Sequence, residues 1–451
     1  MDFRVAAARR LIVAALCLSA TVAAVSLAAS PPAPLTAAVD DVAPGILKLY
    51  DALHAAAEPS LLEFDTAKRI AKELKAIGFE VTEHVAATGV VGILKTGAGP
   101  TVMVRAPLDG VSVPEAAPGA AKARAIHADG ADALMAIVLG AGRVMAQIQG
   151  EWSGTLMLVF QPGKETGTGA RAMLNAGVFD NPFPRPDFAL APQLDTTLPV
   201  GFYSYSPEAA LSGLARLEIV VHGKPGADAA PQFAKDAVAV AAQIALALPA
   251  IVRREVDPIQ PVTINVGAIH GGRDAIDIPG EVRLDVAVRY FDERVKTQIL
   301  DTIPRICDGI AAAAGVDAVQ FPTIAVREVG SFAAVRNNPG LAATASHALR
   351  ELFGDVRVQQ QPPRMGEDDF GEYGRGDHAP ALFLFGVGAV DPPLVEKMQR
   401  AGRPGLTAEE AGRLTLRSPT FAISPAPVIN TGIHGLGAML LRLLAPKASG
   451  K

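Results

Sequence analysis

The sequence predicts an α/β protein into which a smaller α+β domain is inserted. Three observations carry this. At 451 residues, half of them apolar, the chain exceeds what one hydrophobic core usually organises. Before residue 201, segments with strand and helix periodicity alternate, as they do where helices cover a largely parallel sheet with reactive groups at its strand ends. After Gly201 the order becomes strand, helix, strand, strand, helix, a two-layer unit of different texture.

Apolar spacing over residues 45–79 is helical, through Leu47, Leu49 and Leu53, then Ala67, Ile70, Ala71, Leu74 and Ile77, with Gly78 as a stop. Residues 90–94 and 101–105 read as strands on either side of a Gly-Ala-Gly-Pro turn. An apolar helix over 131–148 leads to a continuous apolar strand over 154–160, the pattern of a strand buried on both faces. In the second unit, 214–222, 262–269 and 282–289 are strands, while 236–248 and 293–314 are helices. The α/β pattern resumes near Val326. Residues 391–418, rich in charge, Gly and Pro, read as a surface loop with one short helix. The main domain is thus expected over 44–208 and 326–446, and the insertion over 209–325.

The first residues carry an address. Arg4, Arg9 and Arg10 precede an apolar run from 11 to 29, closed by Ser30-Pro-Pro, which reads as a signal peptide over 1–29 and implies an exported, periplasmic protein. The alternative is an uncleaved membrane anchor. Leu16 before Cys17 argues against lipidation. Cys307 is then the one remaining thiol, which excludes an internal disulfide and a cysteine-built zinc site. Net charge is −5 with dispersed Lys and Arg, so no nucleic-acid footprint is present. Neither a G-x-S-x-G elbow nor a glycine-rich nucleotide fingerprint occurs.

Chemistry-bearing residues fall in an ordered set of motifs. They are Leu53-His54 through Glu63 and Thr66-Ala67, Arg105-Ala-Pro-Leu-Asp109, His127-Ala-Asp-Gly-Ala-Asp132 with Leu139-Gly-Ala141, and Phe160-Gln-Pro-Gly-Lys-Glu165 with Gly169-Ala170 and Met173. Gly223 through Pro231, Ile276 through Pro279, Met365 through Phe370 and Leu416-Arg-Ser-Pro419 follow. In this order and spacing the set resembles the aminoacylase, hippurate hydrolase and auxin-conjugate hydrolase group of dinuclear-metal amidohydrolases, metallopeptidase family M-twenty. The likeness covers essentially everything after residue 29.

The resemblance implies a catalytic-type α/β domain split by an α+β lid or dimerisation domain. It implies two divalent cations that polarise a water, and a glutamate that takes its proton. Where the family writes H-A-C-G-H-D, the ligand cysteine is Asp129 and the ligand histidine is Ala131. Where it writes F-Q-P-A-E-E, the proton-shuttling glutamate is Lys164 and the ligand glutamate is kept as Glu165. Two further ligand histidines correspond to Ala191 and Arg417, and the lid histidine to Ala227. Asp129 and Glu165 are therefore the remnant ligands, for zinc or manganese if a metal binds, with no cofactor as the favoured expectation.

Lys164, at the base position, and Asp109, as a supporting carboxylate, are the catalytic candidates. Arg105, Arg417, His127 and Asp132 are the binding candidates, for a small carboxylate or peptide-like ligand. Lys164 and Arg417 are expected to neutralise Asp129, Asp132 and Glu165, since a cation about 4 Å from a bound metal costs several kcal/mol even at an effective dielectric of ~20. His54 is expected to have no partner. His378 is a candidate for a new metal constellation, and Glu367, Asp368 and Asp369 read as a solvated or helix-capping run. The expected function is an amidohydrolase by descent, acting on N-acyl amino acids or peptide-like conjugates, impaired or inactive. The alternatives are a non-catalytic binding protein and a structural dimer partner, with a homodimer formed through the lid.

Overall fold

The computed structural model describes residues 33–114, 123–401 and 406–444. The expected signal peptide over 1–29 lies outside them. The first helix, α1 (Ala33–His54), begins well before residue 45 and runs through Pro44. Leu35, Val39, Val42, Ile46, Leu49 and Leu53 form one buried stripe that holds it together across the proline. After a turn, α2 (Phe64–Ala76) leads to β1 (Glu80–Val85), β2 (Gly89–Lys95) and β3 (Thr101–Pro107). Next come α3 (Ala131–Gln147), β4 (Thr155–Gln161), α4 (Gly169–Asn175), β5 (Phe188–Pro199) and β6 (Tyr203–Tyr205).

The lid follows as β7 (Gly213–His222), α5 (Ala237–Ala247), β8 (Thr263–Gly271), β9 (Glu281–Tyr290), α6 (Glu293–Ala313) and β10 (Thr323–Phe332). Its sheet is antiparallel in the order β8-β9-β7-β10. Leu217, Ile219, Leu284 and Val288 pack against Ile244, Ile303 and Cys307 from the two helices. β10 is a correction to the sequence reading. Leu217 faces Val326 across the sheet, so the chain leaves the lid after Phe332 and not before Val326. Its apolar alternation was too weak to show this, because most of β10 is exposed.

The main domain resumes with α7 (Pro339–Phe353), β11 (Val358–Gln360), β12 (Ala381–Val390) and α8 (Pro425–Leu443). Its eight-stranded sheet has the order β1-β2-β4-β3-β5-β12-β6-β11. The β4-β3-β5-β12 centre is parallel, as the unbroken apolar run of β4 requires. The helices α1, α3 and α8 cover one face. Residues 391–418 hold two short helices, Pro392–Ala401 and Ala408–Arg413, where one was expected; a Thr407–Glu410 capping box starts the second. No helix among the described residues is long and apolar enough to cross a membrane.

Candidate catalytic cleft

The parallel centre delivers its charged groups at the carboxyl ends of its strands. β3 carries Arg105 and leads to Asp109; β4 carries Gln161 and leads to the turn with Lys164 and Glu165. The turn before α3 presents His127 and Asp129. Gly130 closes that turn at φ +80, a left-handed backbone that favours glycine, and a Cβ there would press on the tip of Leu194.

Lys164 is the centre of the site. Its Nζ lies 2.9 Å from Asp129 Oδ2 and 2.6 Å from Glu165 Oε1, and all three side chains are largely buried. Burial works against the ammonium charge. The Asp129 and Glu165 carboxylates outweigh that and hold Lys164 well above the ordinary lysine range. Burial likewise works against Asp129, and Lys164 reverses it, leaving the carboxyl below its usual range. Lys164 is thus a locked cation, unsuited to act as a base. The other oxygen of Glu165 accepts from Arg417 Nη2 at 2.6 Å, and the same nitrogen lies 3.3 Å from Glu367 Oε1. Arg417 holds a left-handed backbone at φ +67, pinned by its N–H donating to Ala128 O at 2.8 Å.

Asp109 is fully buried and faces the chain, not the cleft. It accepts from Ser60 Oγ at 2.6 Å and from the backbone N–H groups of Glu165 at 2.8 Å and Lys164 at 3.1 Å. It therefore positions the Lys164–Glu165 turn. Burial pushes its carboxyl up to about 7 against these donors.

Several binding candidates are placed differently from expectation. Arg105 is buried and fully used, donating from Nε to Gln161 at 2.9 Å, from Nη2 to Asp368 at 2.8 Å and Asp369 at 2.7 Å, and from Nη1 to Asp368 at 3.1 Å. It is no anchor for a ligand. For the same reason Asp368 and Asp369 are buried and not solvated, although Asp368 does cap the Phe370 N–H at 2.8 Å. Asp132 pairs with His54 Nδ1 at 2.6 Å and not with Lys164 or Arg417 as expected, and Tyr50 stacks on that imidazole; the absence of a His54 partner was a wrong expectation. The signal was available, since both residues belong to motifs, but only the docking of α1 on α3 joins them.

His127 is buried, and among the described residues neither ring nitrogen has a hydrogen-bond partner. His378 is exposed in the turn before β12, and among the described residues it joins no cluster of three metal-ligating side chains. Ala191 sits in the apolar layer with Met103 and Met157, and Ala227 lies exposed in the lid.

The residues present do not fit a pair of divalent cations. Both remnant carboxylates already share oxygens with Lys164 or Arg417, and among the described residues no three His, Cys, Asp or Glu side chains converge as a metal requires. The gap left beside Lys164, Glu165, Arg216 and Arg417 is about 10 Å³, near the minimum for one water. A far larger cleft, about 970 Å³, opens at the domain seam between Glu208, Phe291, Arg336 and Arg375.

A parallel-centred sheet with charged groups at its strand ends, split by an antiparallel lid, defines a two-domain hydrolase scaffold. The chain belongs to peptidase family M20/M25/M40, whose model matches residues 103–399. It is 29% identical to thermostable carboxypeptidase 2 of Saccharolobus solfataricus over 77% of this chain and 86% of that protein. It is 30% identical to the hippurate hydrolase of Campylobacter jejuni over 72% of this chain and 83% of that one. Among solved structures, a dinuclear metal binding peptidase of the M20 family from Bacillus subtilis superposes with a TM-score of 0.70 at 20% identity, covering 90% of this chain and 99% of its own. That likeness is one of fold.

Proposed function

We propose that this chain is an amidohydrolase by descent that has given up metal-dependent hydrolysis of N-acyl amino acids and peptide-like conjugates. One observation carries the reading: the Lys164 ammonium occupies the space between Asp129 and Glu165, the two remnant ligand positions, at 2.9 and 2.6 Å. The side chain at the proton-shuttle position is a cation where a base is needed, so both the metals and the base are missing from the chemistry. The test is elemental analysis of the purified full chain, together with a panel of N-acyl amino acids, hippurate included, with added zinc, manganese or cobalt. The expected result is less than one tightly held divalent ion per chain and no turnover. Two tightly held ions with turnover would overturn the reading.

A second reading, a non-catalytic receptor for a small carboxylate or peptide-like ligand, is favoured by the seam cleft of about 970 Å³, where Arg336, Arg375 and Glu208 offer both signs of charge. Export through the segment 1–29, and a homodimer formed at the exposed lid strand β8, belong to the same proposal.

A further inference from the structure

Six charged side chains alternate in sign in one row across the cleft: Asp129, Lys164, Glu165, Arg417, Glu367 and Arg289. The row begins in the first part of the main domain, passes through its second part and ends on lid strand β9. Arg289 makes two contacts there, Nη2 to Glu367 Oε2 at 2.7 Å and Nη1 to Met365 O at 3.1 Å. Arg289 and Glu367 are each about three-quarters buried, so bulk water screens the pair only in part. Burial alone would raise the Glu367 carboxyl; Arg289 and then Arg417 bring it below its usual range.

We infer that this row is an interdomain latch that fixes the lid against the main domain beside Lys164. The lid joins the main domain through two chain crossings, near 206–212 and 333–337, and these crossings are where it can hinge. The Arg289–Glu367 contact clamps that hinge: Arg289 lies opposite Leu214 on β7, and Ser212 at the crossing donates its N–H to Gly366 O beside Glu367. Arg216 supplies a comparison. It sits on β7 and lines the gap beside Lys164, yet among the described residues it has no carboxylate within ion-pair distance. Positive charge on the lid is therefore not enough; the matched pair makes the contact.

The inference rests on the ion pairs that also carry the proposed function, but the two fail separately. Hydrogen–deuterium exchange is read at 206–212 and 333–337 in the full chain. Glu367→Gln and Arg289→Met should each speed exchange there by about tenfold, the scale of one partly buried charged hydrogen bond. Arg216→Ala should leave it unchanged. Raising salt from about 0.05 to about 1 M should speed exchange in the unaltered protein, which decides the matter even if a variant fails to fold. Hinge exchange that ignores both salt and these substitutions would sink the latch while leaving the Lys164 reading intact. Two bound metals with turnover would do the reverse.

Discussion

Lys164 Nζ sits 2.9 Å from Asp129 Oδ2, so the residue at the proton-shuttle position neutralises the residue at a ligand position. The two substitutions compensate each other. A buried carboxylate needs a counter-charge, and the neighbouring turn supplies one.

Removing one partner should therefore be costly. Lys164→Met leaves Asp129 and Glu165 buried and facing each other, and it should destabilise the protein by about 3–5 kcal/mol, the usual cost of breaking a buried pair. Asp129→Asn combined with Lys164→Met should lose clearly less than the sum of the two single changes. Urea unfolding of the four proteins checks this; strict additivity would show that the two side chains do not interact.

Asp109 makes stability depend on pH in the opposite sense to Asp129. Its folded carboxyl is pushed up to about 7, above its unfolded value, so its contribution is complete below about pH 4 and is lost as pH rises through about 7. Asp129, held low by Lys164, contributes above its unfolded value and loses that contribution as pH falls through its lowered one. Asp109→Asn should flatten the decline between about pH 4 and 7 while sparing the acid limb. Melting temperatures across that range read it directly, and an unchanged slope would remove Asp109 from the account.

The motif order made the fold and the charge exchange at Lys164 and Arg417 legible, because each is a local substitution in a recognisable string. Contacts between strings were not legible. Arg105 and Asp368 are 263 positions apart, and their pairing depends on the turn after Gly366 returning to the end of β3. Arg289 pairs with Glu367 because β9 ends beside the chain crossing, opposite Leu214, and nothing in the alternation of β9 marks its last arginine as different from Arg283. The lid's fourth strand was missed for a related reason: a mostly exposed strand has no apolar face to announce it.

His54 should titrate above an ordinary histidine, because its hydrogen bond to Asp132 outweighs the effect of burial. The contact thus favours the folded state below the unfolded histidine value and is lost as pH rises through the raised one. Following the His54 ring resonances against pH tests this. Asp132→Asn should return the midpoint to the ordinary range; a midpoint that ignores Asp132 would mean the two side chains do not meet in solution.

If protein cations exclude the metals, removing them and restoring donors should let a metal in. Lys164→Glu frees Asp129 and Glu165 and replaces the missing carboxylate; Ala131→His and Arg417→His add two imidazoles at positions where the family resemblance places ligands. The triple variant should bind zinc more tightly than the unaltered chain. It should be stabilised by about 2.7 kcal/mol when free zinc stands at about a hundred times its dissociation constant. Arg417→His alone should not bind, because Lys164 would still neutralise both carboxylates at 2.9 and 2.6 Å. Melting with and without zinc separates the cases. A triple variant as indifferent to zinc as the unaltered chain would mean that the missing donors, and not the resident ammonium, keep metals out.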